Sequence, residues 1–93
     1  MVKTFKFHSD SGHGWLAVKI NDIIAVGINI NDISGFSYWK GNTVYLEEDG
    51  DCFMFIKAYH TANGKPPTIK ELPSKDRSPI RSYEQFYHSR PII

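Results

Sequence analysis

Two histidines and a carboxylate lie within eight residues near the start of the chain. Residues 8–15 are His-Ser-Asp-Ser-Gly-His-Gly-Trp, between two runs in which polar and apolar residues alternate. His8, Asp10 and His13 offer two imidazoles and a carboxylate, a set that a divalent transition metal accepts. The glycines make the loop adaptable, so the same spacing fits an Asx-turn at Asp10 with surface histidines. We favour this hydrogen-bonded role and expect no metal or other cofactor.

A second group of titratable side chains is the acidic run at residues 47–51. Crowded like charges raise the pKa of one member and suit it to proton transfer. Asp49 and Asp51 also precede an apolar run, where acidic side chains cap a helix and meet the positive end of its dipole. We therefore interpret Asp49 and Asp51 as capping residues and keep Glu47 as the candidate functional carboxylate.

The C-terminal part of the chain is basic. Residues 1–64 hold five lysines and arginines against seven acidic residues, whereas the remaining residues hold six against three. Arg81 either pairs with the acidic run at 47–51, which fastens the tail to its own domain, or forms the anion-binding half of a pocket opposite residues 8–15. We favour self-docking, because a balance of +3 is far weaker than a typical nucleic-acid footprint.

The composition is that of one ordinary globular domain. The 93 residues are 41% hydrophobic and 23% charged, which indicates neither disorder nor a membrane span. The first residues lead directly into an alternating pattern, so we expect no signal peptide and a cytoplasmic location. Cys52 is the single cysteine, which excludes an internal disulfide. Its apolar neighbours Phe53, Met54 and Phe55 favour a buried role over a nucleophilic one.

Alternation on either side of the histidine loop predicts a first β-hairpin. Residues 4–8 and 16–20 each place apolar side chains at every second position. If the two strands pair, these side chains share one face and form part of the core. His8 and Trp15 then lie on the opposite face, at the mouth of the loop.

Aromatic and β-branched runs at residues 36–39 and 43–47 predict a second hairpin. A Gly-Asn pair between them is a recognised two-residue turn signal. With Lys40 opposite Thr43, Tyr38 lies opposite Tyr45, and Glu47 shares their face. That face is polar and aromatic, and it is able to hold a ligand or the tail.

Two helices are predicted. Apolar residues in the stretch 51–63 cover more than one helical stripe, and Gly64 followed by two prolines ends the helix. A shorter helix of one to two turns fits residues 23–26, with Asn21 or Asp22 as its cap.

The chain is organised as a single domain, residues 1–93. Residues 1–64 form the core, 65–79 a proline-rich strap that is extended or disordered, and 80–93 a docked C-terminal segment that frays from His88. The predicted fold class is α+β. It has a small antiparallel sheet made of two β-hairpins, one main helix packed on the sheet, and an extended C-terminal tail that crosses the polar aromatic face.

Several short motifs together resemble a group of small uncharacterised proteins carried by bacteriophages, prophages and plasmids. The motifs are His8-x-Asp10-x-Gly12-His13-Gly14-Trp15-Leu16-x-Val18, Ser37-Tyr38, Val44-Tyr45-Leu46-Glu47-Glu48-Asp49 and Ile80-Arg81-x-Tyr83. The likeness spans most of the chain and is looser in residues 65–79. The resemblance implies no catalytic residue. It implies an accessory protein that disables a host enzyme, sequesters a signalling molecule or adjusts host metabolism.

The expected function is therefore binding rather than turnover. The partner is a host protein or a small anionic ligand such as a nucleotide, in the cytoplasm of the host cell, and a homo-oligomer is compatible with the sequence. The ligand-binding residues are expected in the loop, on the aromatic hairpin and in the tail: His8, Asp10, His13, Trp15, Tyr38, Tyr45, Glu47, Arg81 and Tyr83.

Two other functions remain open at this point. The first is a small hydrolase of a phosphorylated or nucleotide-like substrate, with His8 or His13 as general base and Glu47 as its partner. The second is single-stranded nucleic-acid binding, since aromatic side chains on a sheet can stack on exposed bases. Nucleic acid is not the expected partner, because no strand rich in lysine and arginine lies beside the aromatics.

Overall fold

A computed structural model describes residues 3–86 of the chain. The strands are β1 (Thr4–Ser9), β2 (Gly14–Lys19), β3 (Tyr38–Lys40), β4 (Thr43–Glu47), β5 (Thr68–Pro73) and β6 (Glu84–Gln85), and the helices are α1 (Ile20–Ala25) and α2 (Asp51–Asn63). The six strands form one sheet in the order β5-β1-β2-β4-β3-β6. The predicted α+β class, with one main helix, is confirmed.

Both hairpins form, and the second has the predicted register. In the first, His8 lies opposite Trp15. In the second, Tyr38 lies opposite Tyr45, and Gly41 provides the turn with a positive φ of 61°. The second hairpin is shorter than predicted, because Ser37 leaves the ladder and its hydroxyl instead accepts a hydrogen bond from the backbone N–H of Glu47.

The sheet is mixed rather than purely antiparallel, which corrects the sequence prediction. Strand β5 lies within the predicted strap and pairs in parallel with β1, with Thr4 opposite Thr68 and Ser9 opposite Pro73. Most residues of β5 are exposed, so the strand carries little apolar periodicity. Strand β5 is held by backbone hydrogen bonds to β1, which is far away in the chain. Local sequence patterns do not encode such a pairing.

Helix α2 packs on the face of the sheet that carries the apolar side chains of β1, β2 and β4. Phe55 is fully buried and makes edge contacts with Phe5, whose ring centroid lies 5.2 Å away. Gly64 ends the helix in the left-handed conformation, as predicted. Within residues 3–86, no helix has the length and apolar character needed to cross a bilayer.

The predicted helix caps are wrong. Helix α1 begins at Ile20, earlier than expected, and neither Asn21 nor Asp22 caps it with a side-chain hydrogen bond. Gly50 precedes α2 as its capping position, and Asp51 is already the first helical residue. The carboxylate of Asp51 does not cap the helix, and its Oδ2 instead accepts hydrogen bonds from two serine residues before β3.

The tail, residues 74–86, docks on its own domain. A 3-10 turn at Pro79–Ser82 buries Ile80, and β6 then pairs with β3 at the edge of the sheet. Phe86 packs edge-on against Trp39 and belongs to the core. In the described residues these contacts hold the tail against the sheet as far as Phe86. The rest of the segment, with the fraying expected from His88, lies outside the described residues.

Candidate functional site

Asp10 joins the histidine loop to the tail. Its Oδ1 accepts hydrogen bonds from the backbone N–H groups of Gly12 and His13, at 2.9 and 3.0 Å, and this is the Asx-turn expected from the sequence. Oδ2 accepts from the backbone N–H of Ser78 at 2.9 Å. Arg81 donates to both oxygens, through Nε at 2.6 Å and Nη2 at 2.8 Å. Five hydrogen bonds therefore end on one carboxylate whose side chain is 2% exposed.

This arrangement makes Asp10 a structural anion. The hydrogen bonds from Arg81, and then those from Ser78 and the loop, hold the pKa of the Asp10 carboxyl far below its usual range. The predicted pairing of Arg81 with residues 47–51 is wrong, because the planar guanidinium meets Asp10 instead. The tail is thus fastened to its own domain through Asp10 rather than through the acidic run.

A cavity of about 520 Å³ opens beside this ion pair. Five of the nine predicted site residues line it: His13, Trp15, Tyr38, Glu47 and Arg81. The Arg81 guanidinium lies 5.5 Å from the centre of the Trp15 ring, and the Tyr38 ring meets Trp15 edge-on at 6.2 Å. The histidine loop, the aromatic hairpin and the tail therefore meet at one recess, which we call the Trp15 cavity.

The remaining predicted site residues lie outside the Trp15 cavity. Asp10 lies behind Arg81. His8 and Tyr45 line a separate cleft on the same sheet face, and Tyr83 lines another, with Lys40 at 5.0 Å over its ring. Tyr45 and Tyr83 are in contact, with ring centroids 5.2 Å apart. Burial, followed by the charge of a neighbouring lysine, lowers the pKa of His8.

Acidic groups dominate the charge of the Trp15 cavity. Glu47, Asp49 and Asp51 line it, whereas Arg81, the one lysine or arginine that lines it among residues 3–86, is already paired with Asp10. Burial raises the pKa of the Glu47 carboxyl, and the charges of Asp49 and Asp51 add to the effect against a backbone hydrogen bond from Asp49 that lowers it. The cavity is therefore a polar, negatively charged recess with aromatic walls.

Comparison with known proteins adds no assignment to this geometry. No family model, curated protein or solved structure matches this chain.

The sequence did not identify Asp51 as a residue of the site. Its side chain is 6% exposed, and Oδ2 accepts hydrogen bonds from the backbone N–H of Ser34, the hydroxyl of Ser34 and the hydroxyl of Ser37. This network holds the segment before β3 against the first turn of α2. The acidic run marked Asp51 as a titratable residue, but two serine residues three apart and upstream of an aspartate are too common a pattern to predict this network.

Phe36 is the second residue that the sequence did not identify. It lines the Trp15 cavity, and its side chain is 75% exposed, although large apolar side chains normally lie in the core. In contrast Trp15, expected as a pocket wall, is 2% exposed beneath Arg81 and the tail. Its burial removes Trp15 from any surface on which nucleic-acid bases could stack.

Metal and nucleophile chemistry find little support among residues 3–86. No group of three histidine, cysteine or carboxylate side chains in that range converges as metal ligands do. Asp10 forms an ion pair with Arg81, so the carboxylate of the predicted metal-binding set already has another partner. Burial, and then the charges of Glu48 and Glu47, raise the pKa of the Cys52 thiol to about 11, so it stays protonated at neutral pH.

Proposed function

We propose that this chain is a small non-catalytic binding protein whose Trp15 cavity captures one group of a partner. One observation carries the proposal: within residues 3–86, no hydrogen bond orients the histidine that lines the cavity as a base. His13 lines the cavity with its ring centroid 6.0 Å from that of Trp15, and within residues 3–86 its side chain makes no hydrogen bond. A catalytic base is normally oriented by a third group, so recognition suits this lining better than turnover.

A host protein is the partner that we place first. The resemblance to small proteins of phages, prophages and plasmids supports a role in sequestering or inhibiting a host target. The exposed phenyl ring of Phe36 at the cavity supports a protein surface as the ligand, because aromatic anchors contribute strongly to protein interfaces. The small anionic ligand expected from the sequence is less well supported, since three carboxylates line the recess.

The test is a stoichiometric complex that depends on the cavity. The immobilised chain is used to isolate a target from a bacterial extract, and the identified target is then purified and titrated by calorimetry. We expect a saturable complex that Phe36→Ala weakens by tenfold or more. Phe53→Ala is the matched control, because Phe53 is also exposed but does not line the cavity. Equal affinity of the two variants would contradict the proposal.

A hydrolase is the second candidate, because His13 and Glu47 line the same cavity and burial raises the Glu47 pKa. His8 does not line that cavity and drops out as its base. The assay follows release of phosphate from aryl phosphates and nucleotides by the wild type and by His13→Ala. Turnover that disappears in His13→Ala would replace the binding proposal with the enzymatic one.

A further inference from the structure

We infer that the Trp15 cavity binds a positively charged organic group, the guanidinium or ammonium of a basic side chain on a partner protein. This inference rests on the proposed binding function and adds the chemistry of the bound group. Charge, an unpartnered carboxylate oxygen and the aromatic walls each contribute to it. It departs from the anionic ligand that the loop and the basic tail suggest in the sequence.

The charge balance is the first argument. In the described part of the chain, Arg81 is the lining residue that could attract an anion, and two of its nitrogens already donate to Asp10. Glu47, Asp49 and Asp51 face the same recess without a lysine or arginine partner in residues 3–86. A recess lined with carboxylates raises the local concentration of cations and repels phosphates.

Asp51 supplies an independent argument. Its three hydrogen bonds all end on Oδ2, and Oδ1 accepts none within residues 3–86. The side chain is 6% exposed and lines the cavity. Because the serine hydrogen bonds hold the side chain in place through Oδ2, Oδ1 is the oxygen of Asp51 that is free to accept an N–H from a bound cation.

The walls favour an organic cation over a metal ion. Phe36 and Tyr38 line the recess, and cations bind over the faces of such rings within about 6 Å. The cavity, at about 520 Å³, has room for a side chain rather than a single ion. In the described part of the chain no three ligands are grouped for a metal.

A direct test compares two short peptides by NMR titration of the full-length protein. The peptide Ac-Gly-Arg-Gly-amide carries a guanidinium, and Ac-Gly-citrulline-Gly-amide is its neutral analogue of nearly the same shape. We expect the arginine peptide to shift the indole N–H signal of Trp15 and the amide signals of Phe36 and Gln85. We expect the citrulline peptide to leave them in place. Equal shifts from both peptides would overturn the inference.

A matched pair of charge variants locates the binding. Asp49→Asn and Glu48→Gln each remove one negative charge from adjacent exposed residues, but only Asp49 lines the cavity. We expect Asp49→Asn to weaken the arginine peptide by roughly three- to fivefold and Glu48→Gln to leave its affinity close to that of the wild type. An equal loss in the two variants would indicate general attraction to the acidic surface and would overturn the inference.

Further probes separate this inference from the proposed function. If the corresponding lysine peptide shifts the same signals as the arginine peptide, the result supports a cavity that binds both kinds of basic side chain. If inorganic phosphate or magnesium chloride shifts the cavity signals and the arginine peptide does not, the cation inference is overturned. The proposed binding function is unaffected by that result. Turnover of a substrate at the cavity overturns the binding function itself. Absence of any shift with the arginine peptide at millimolar concentration also overturns the inference.

Discussion

Asp10 and Arg81 are 71 residues apart in the chain and are joined by two charge-assisted hydrogen bonds, Nε to Oδ2 at 2.6 Å and Nη2 to Oδ1 at 2.8 Å. The same carboxylate also orders the histidine loop through Gly12 and His13. One side chain therefore positions two walls of the Trp15 cavity. Loss of this contact affects the shape of the site as well as the attachment of the tail.

Replacement of Asp10 tests this attachment. Asp10→Ala leaves the Arg81 guanidinium and the N–H of Ser78 without their acceptor, so we expect the Tm to fall by several degrees. We also expect faster hydrogen exchange at the amides of Ser78 and Ile80. Asp76→Ala is the control, because Asp76 is an exposed acidic residue of the same tail. A Tm and exchange rates equal to those of the control would contradict the structural role of Asp10.

Acidic pH should weaken the same contact. The pKa of Asp10 is lowered in the folded state, whereas in the unfolded chain it is about 3.9. The stabilisation is therefore complete above that value and declines as the pH falls from about 5 towards 2, where the unfolded chain takes up a proton more readily. We expect the free energy of unfolding of the wild type to fall more steeply over this range than that of Asp10→Asn.

The comparison with Asp10→Asn also controls for Glu47. The raised pKa of Glu47 changes stability in the opposite direction. Its contribution to the free energy of unfolding is present below the usual pKa of glutamate and is lost as the pH rises through the pKa in the folded protein. Both proteins retain Glu47, so its effect cancels in the difference. Parallel curves from urea denaturation at each pH would show that Asp10 titrates normally.

The core should depend on Phe55 far more than on its neighbour Phe53. Phe55 is fully buried against Phe5 and Tyr59, so we expect Phe55→Ala to cost about 3–5 kcal/mol. Phe53 is 66% exposed two residues earlier in α2, and Phe53→Ala should change stability by less than about 0.5 kcal/mol. Urea denaturation measures both values. Similar losses would mean that the helix packs in another orientation.

Cys52 should be unreactive in the folded protein. With its pKa raised to about 11, the thiol contains little thiolate at pH 8. We expect its reaction with Ellman's reagent to be roughly a hundredfold slower than that of a free cysteine. Since Cys52 is the single cysteine, the absorbance reports it alone, and urea should restore fast reaction. Rapid labelling without denaturant would revive the nucleophilic interpretation.

Much of the fold follows from local patterns. The Gly-Asn turn sets the register of Tyr38 and Tyr45, and period-two alternation places His8 and Trp15 on one face of the sheet. Gly64 ends the main helix where expected. These features depend on residues close in sequence, and such residues carry the strongest pattern signals.

Contacts between distant residues were not predictable in the same way. Strand β5 has mostly exposed side chains, so no periodicity marks it as a partner of β1. The sequence contains several acidic residues that could pair with Arg81, and charge alone did not distinguish Asp10 from the acidic run at 47–51. The Asp51 and Phe36 contributions to the cavity depend on how the segment before β3 folds against α2, and no short motif specifies that packing.

The parallel pairing of β1 with β5 has a consequence for how the protein is made. Strand β1 leaves the ribosome long before residues 68–73, so the nascent chain carries a strand with β2 on one side and an open edge on the other. Asp10 gains its ion-pair partner later still, when Arg81 emerges from the ribosome. Nascent chains on one polysome must therefore avoid pairing with each other through the open edge of β1. The native structure is complete only after the tail has been translated.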